Sequence, residues 1–271
     1  MAEPATALIT GASSGIGRAA AAALAERGYR LLLGYSSGSD RIARVAADLT
    51  TRFGVRCVPV RADLRDHSTA TGAIMAAIDA TGPVSCLVNN AGVNDRTPAT
   101  ALDADRAHEV FAVNAFAPIA LASAVGRHMI GAGIPGSIIN VTSIHETVPI
   151  TGGALYCASK AALGMATKVL ALEFATHGVR VNAVAPGETA TAMNGVADEQ
   201  RYREIARPAI PLGRPGGTAE IASLIAYLAG PDSSYITGAS ITADGGLILT
   251  AAEANARHAG HSGGEPNRRA I

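Results

Sequence analysis

The chain has 271 residues, with 22 basic and 22 acidic side chains and a net charge of zero. That balance gives no support for a nucleic-acid surface or a footprint on an anionic membrane, and no unbroken apolar run reaches the ~18 residues of a membrane span. Hydrophobic residues at 48% suffice for one sizeable core, and the length allows one large domain or two small ones.

The first predicted strand covers residues 6–10, Thr-Ala-Leu-Ile-Thr, with no charged-then-apolar leader before it. It runs into Gly11-Ala-Ser-Ser-Gly15-Ile-Gly17 and then an Ala-rich helix over 15–28. Strand, glycine turn and helix in that order make a glycine motif a dinucleotide site and not a plain turn. Glycine lets backbone approach a pyrophosphate, and a helix N-terminus offers free N–H groups to it. The spacing is Gly-x-x-x-Gly-x-Gly, not Gly-x-Gly-x-x-Gly.

Further strands are predicted at 30–34, 56–61, 86–89, 136–142, 179–185 and 240–243. Helices are predicted between them at 40–53, 68–80, 103–129, 156–177 and 219–229. Regular alternation implies an α/β fold, a doubly wound parallel sheet with helices on both faces. Apolar strands without polar alternation fit a sheet covered on both sides. Loops at 90–100, 143–151 and 186–194 follow strand ends, where such sheets bind ligands. No linker divides residues 1–250. Residues 188–214 form a polar stretch with Pro208 and Pro211, and Pro215 follows directly. The tail, 251–271, is Gly-containing and poor in large apolar residues, as expected of a segment flexible or docked at a subunit interface.

The chemistry centres on Tyr156 and Lys160, which share one helix face at i and i+4. A fixed ammonium beside a phenol favours the phenolate and lowers a pKa that starts near ~10. Tyr156 is therefore a candidate acid/base for a carbonyl oxygen, and the Ser143 hydroxyl could hold the same oxygen. Asn114 lies mid-helix, where Asn costs helix propensity; it reads as a kinking or core-satisfying residue or as part of a site. His145 and Glu146 follow Ser143 directly. They read as loop-surface charges or as recognition of a substrate with several hydroxyls, and no third ligand stands near for a metal. Cys57, Cys86 and Cys157 form neither a metal spacing nor a disulfide framework, which suits reduced thiols in the cytoplasm.

Thr10–Gly17, Asn89-Asn90-Ala91-Gly92, Asn114, Ser143, Tyr156 with Lys160, and Pro186-Gly187 stand in an order and spacing that resemble the short-chain dehydrogenase/reductase family. The resemblance runs from about residue 5 to about residue 249. It implies a single Rossmann-type domain of about seven strands, a nicotinamide cofactor, and hydride transfer at a C–OH/C=O centre. It further implies that Tyr156 moves the proton, Lys160 tunes it and binds the nicotinamide ribose, Ser143 orients the substrate oxygen, and Asn114 supports a proton relay. Cofactor contacts are implied for Gly11, Ser13, Ser14, Gly15, Ile16 and Gly17, for Leu64, for Asn90, Ala91 and Gly92, and for Pro186, Gly187, Thr189 and Thr191. Asp63 would meet the adenine amino group or serve as a helix cap or turn residue. The stretch 188–214 matches a mobile substrate lid. Pairing through helices 103–129 and 156–177 would give a homotetramer or dimer.

Cofactor choice turns on the end of the second strand, where a carboxylate would hold a ribose 2′-OH and repel a 2′-phosphate. The sequence there is Gly34-Tyr35-Ser36-Ser37-Gly38, with no acid until Asp40, which reads as a cap of the next helix. Ser36 and Ser37 could accept a phosphate, so NADP(H) is favoured over NAD(H). The expected partner is a small molecule. A Ser-x-His-Glu run similar to that of glucose 1-dehydrogenase-like members favours a sugar or polyol held by Asn94, His145, Glu146 and Glu188. The rivals are a 3-oxoacyl thioester or small ketone, as in 3-oxoacyl carrier-protein reductase-like members, and a catalytically idle dinucleotide-binding scaffold.

Overall fold

Side chains alternate between the two faces of a strand, so a strand apolar at every position must be covered twice. That is the arrangement in the computed structural model, which describes residues 5–196 and 198–250. Seven strands pair in parallel: β1 (Thr6–Ile9), β2 (Arg30–Tyr35), β3 (Cys57–Arg61), β4 (Cys86–Asn89), β5 (Gly136–Val141), β6 (Val179–Pro186) and β7 (Ser240–Ala243). Their order is β3-β2-β1-β4-β5-β6-β7. The winding reverses between β1 and β4, which opens a crevice at their carboxyl ends.

Helices α1 (Gly15–Glu26), α2 (Ser39–Phe53), α3 (His67–Thr81), α4 (Ala104–Phe111), α5 (Ala117–Gly131), α6 (Ala154–Phe174), α7 (Glu199–Arg203) and α8 (Thr218–Ala229) complete the fold. Ala7, Ile9, Leu31 and Leu33 pack under α1, α2 and α8 with Leu24, Ile42, Leu49 and Ile225. Their alternate neighbours Leu8 and Leu32 pack with Leu87, Ile138 and Val181 under α3, α5 and α6 against Ile74, Leu121 and Phe174. One residue step along each strand thus selects the core.

A buried polar chain registers α6 on the sheet. Asn89 Nδ2 donates to Asn140 Oδ1 at 2.9 Å, and Asn140 Nδ2 donates to Thr167 Oγ1 on α6 at 2.9 Å. Buried amides that find partners hold one register, because any slip leaves them unsatisfied.

The helix expected over 103–129 is not uniform. A π-helical turn, Ala112–Phe116, interrupts it and carries Asn114; such bulges re-aim one side chain without ending the helix. Asp40 lies in the first turn of α2, and Gly38, with φ +78°, takes the cap position instead. The spans Ala104–Gly131 and Ala154–His177 are each long and apolar enough to cross a membrane by composition, but 61% and 44% of their most apolar windows are buried inside the fold. Both pack on the sheet. The tail 251–271 lies outside the described residues.

Candidate active site

The crevice is a cavity of about 930 Å³ running from the glycine turn to Tyr156 and Lys160. At one end it is lined by Gly11, Ser13, Ser14, Gly15 and Ile16, and by Ser36 and Ser37 after β2. Asp63 and Leu64, then Asn90, Ala91 and Gly92, line the middle, and Pro186, Gly187, Thr189 and Thr191 close the far wall. Ser14 precedes α1 without a side-chain cap, so the first N–H groups of that helix remain available to an anion. The residues therefore fit a dinucleotide.

Gly17 is the exception. It is buried outside the cavity, and a Cβ there would meet Asn90 Nδ2 and the Gly11 carbonyl, both at 2.4 Å. Its bareness lets α1 close on the turn. Asn90 Nδ2 donates to Thr10 O at 2.9 Å, and Thr10 Oγ1 accepts from the N–H groups of Asn90 and Ala91, each at 3.0 Å. The end of β4 is thus fixed to the glycine turn. Asp63 does not cap a helix; it pairs with Arg65 at 2.7 Å, which holds its carboxyl below the usual range, and Asp66 caps α3.

At the chemical end, Tyr156 and Ser143 are buried and both face the cavity. Burial pushes the Tyr156 phenol above its ordinary value; the Ser143 hydroxyl and the Arg96 charge pull the other way. The expectation that Lys160 sets this value is not met in the cofactor-free site. Lys160 Nζ donates to Val141 O at 2.9 Å and stands 5.9 Å from the Tyr156 ring centre. Burial also pushes Lys160 down to about 8, against the opposing pull of Glu146. Asn114 is fully buried: its Oδ1 accepts from Val93 N at 2.8 Å, and its Nδ2 donates to Val93 O at 2.9 Å and to Ser159 Oγ at 3.1 Å. A Cβ at Gly92 would lie 3.3 Å from Asn114 Oδ1 and 3.5 Å from Lys160 Nζ, so glycine keeps the gap between those two open.

Three of the four residues proposed for substrate, Asn94, His145 and Glu188, line the cavity. Glu146 does not. Its Oε1 accepts from Ser240 Oγ on β7 at 2.5 Å, and its Oε2 lies 2.9 Å from where a Cβ of Gly164 would be, one turn of α6 below Lys160. Its charge serves the interior beside Lys160 and not the mouth. His145 sits edge-on to Tyr156, with Nδ1 2.8 Å from Val148 O. Tyr202 Oη and Arg207 Nε both donate to Glu188 Oε1, at 2.6 and 2.7 Å. Sequence reasoning missed Arg96, Tyr202 and Leu247 as lining residues. Only Arg96 gave a signal, as part of the polar loop after β4.

A family model described as enoyl-(acyl carrier protein) reductase matches residues 11–248. An uncharacterized oxidoreductase, YohF, of Escherichia coli (strain K12) is 37% identical over 90% of this chain and 95% of its own length. The glucose 1-dehydrogenase of Gluconobacter oxydans (strain 621H) is 36% identical over 89% and 91%. The crystal structure of acetoin dehydrogenase from Enterobacter cloacae superposes with a TM-score of 0.87 at 38% identity, covering 92% of this chain and 97% of that one. A single-domain, doubly wound parallel sheet with these relatives defines a hydride-transferring oxidoreductase that uses NAD(P)(H). The chain belongs to the short-chain dehydrogenase/reductase family.

Proposed function

We propose that the protein interconverts a small polar alcohol and its carbonyl form, with an oxygen on the carbon beside the reacting one, using NADP(H) in preference to NAD(H). The observation that carries the polar substrate is His145. Its Nδ1 sits on the Val148 carbonyl, so that nitrogen carries the proton and Nε2 is left as an acceptor for a substrate hydroxyl. Asn94, Asn194 and Tyr202 add polar lining. Glucose and acetoin, named in two relatives, both carry such a neighbouring oxygen. Tyr156 gives or takes the proton of the reacting oxygen, and Ser143 holds that oxygen. Lys160 and Asn114, on either side of Gly92, pass the proton onward. A bound nicotinamide supplies or accepts the hydride. Residues 188–214 act as the lid of the 1–250 domain, steadied at Glu188 by Tyr202 and Arg207. A panel of glucose, polyols, acetoin, simple ketones and acetoacetyl thioester, read by nicotinamide absorbance, should rank the hydroxylated compounds first. An acyl thioester at the top would overturn the reading.

The NADP(H) preference rests on Tyr35, Ser36 and Ser37 lining the cavity after β2 with no carboxylate among them. NADP(H) is expected to give kcat/KM at least equal to that with NAD(H), and Ser36→Asp to shift preference towards NAD(H). A strong wild-type preference for NAD(H) is the contrary result.

Assembly follows from α6. Met165, Val169 and Leu172 stand 60%, 46% and 79% exposed at i, i+4 and i+7, an apolar stripe on one face. A second copy covering it gives the dimer or tetramer. Light scattering at micromolar concentration should find an oligomer, and Leu172→Glu should weaken it; a wild-type monomer would refute the pairing. The three cysteines are free thiols, as a cytoplasmic location requires.

A further inference from the structure

Charges lining the cavity are compensated in pairs, with one exception. Asp63 is paired with Arg65, Glu109 with Arg106, and Glu188 with Arg207, at 2.7, 2.6 and 2.7 Å. Arg96 also lines the cavity, is exposed, and makes no hydrogen bond or ion pair among the described residues. Its backbone, by contrast, is held tightly. Arg106 Nε donates to the buried Asp95 at 2.9 Å, and Arg106 Nη2 donates to Asn94 O at 2.5 Å. On the other side, the Arg96 carbonyl lies against Gly152, where a Cβ would come within 2.9 Å of its oxygen. Gly152 takes φ +75°, a conformation suited to glycine. A rigid loop thus carries an uncompensated guanidinium beside the substrate end. It is near enough to Tyr156 for its charge to favour the phenolate.

We infer that Arg96 binds an anionic group, a carboxylate or phosphate, carried by the substrate on the same small molecule as the oxygen held by Ser143 and Tyr156. Guanidinium is the side chain best matched to such groups, because its planar fork of donors meets two oxygens at once. In a cavity where the other charges are spent on one another, an anion meets a partner with little competition. His145 remains for a hydroxyl of that substrate. The assignment deepens the oxidoreductase reading and rests on it for the reacting oxygen.

The test compares matched pairs that differ only in the anion: acetoacetate against methyl acetoacetate, and dihydroxyacetone phosphate against dihydroxyacetone. Calorimetric titration in saturating NADP(H) measures binding without turnover, and nicotinamide absorbance measures reduction. Wild type should favour the anion in at least one pair. Arg96→Gln should weaken that anion by about 10- to 100-fold, the range of one charged hydrogen bond, change its neutral partner less than about threefold, and Arg96→Lys should restore part of the loss. Which pair responds distinguishes carboxylate from phosphate. If wild type binds the neutral members as well as the anions, or Arg96→Gln weakens both equally, the assignment is wrong even though ketone reduction stands. If the anions bind through Arg96 but none of the four carbonyls is reduced, the assignment stands and the small-carbonyl reading fails.

Discussion

Replacing Tyr156 by Phe is expected to lower kcat by about 10²- to 10⁴-fold, the usual contribution of a positioned acid or base, while cofactor binding stays within a few-fold of wild type. The substitution deletes the one proton on that ring and almost no volume. The ring itself is buried between the cavity and the His145 edge, so its packing survives. Burial holds the phenol above its ordinary value; the protonated form therefore prevails at neutral pH and is ready to donate to a carbonyl oxygen. Reduction should hold its rate at neutral pH and fall only as the phenol ionises. Oxidation of the alcohol needs the phenolate and should climb as pH rises. Stopped-flow and steady-state rates in both directions, from pH 6 to pH 10, check both parts. A Phe variant with near wild-type kcat would remove Tyr156 from the chemistry.

Lys160→Met is expected to abolish most turnover, by about 10²-fold or more, yet to leave the fold as stable as wild type or more so at pH 7. Lys160 is 4% exposed and its ammonium is lowered from 10.5 to about 8 by burial. A folded-state value below the unfolded one means that, between about pH 8 and pH 10.5, the unfolded chain holds more protons. Wild-type stability from this group therefore rises with pH across that window, and the full cost of burying the charge is present below it. That cost is about 3 kcal/mol at one proton per 1.36 kcal/mol for each pH unit, and the bond to Val141 O offsets about 1 kcal/mol of it. Methionine fills similar space without the charge. Denaturant unfolding should show the variant ahead by about 1–2 kcal/mol near pH 7, with the gap closing above pH 8. A variant less stable at pH 7, with a gap indifferent to pH, would show that Lys160 is a net structural support.

Local pattern determined a great deal. Apolar strands without alternation required a sheet covered twice, and Leu8 and Ile9 do serve opposite cores. The glycine turn between β1 and α1, the loops at strand ends, and Tyr156 and Lys160 on one helix face all follow from periods of two and 3.6 and from glycine's conformational freedom. These signals span a few residues, so the sequence carries them openly. What the tertiary structure decided involves partners far apart in the chain. Glu146 looks like a mouth residue beside Ser143, but its partner Ser240 is 94 positions away on β7, adjacent only because β6 pairs with β7. Gly17 looks like a phosphate contact, but Asn90 and Gly11 press on it from a neighbouring strand and the turn. The π-turn at Asn114 exists because Val93, 21 residues earlier, takes both ends of its amide. The Lys160 ammonium is spent on Val141 before any phenol. In each case strand order sets the neighbours, and a buried polar group turns to whichever partner that order brings within reach, because leaving it unpaired costs more than any local preference.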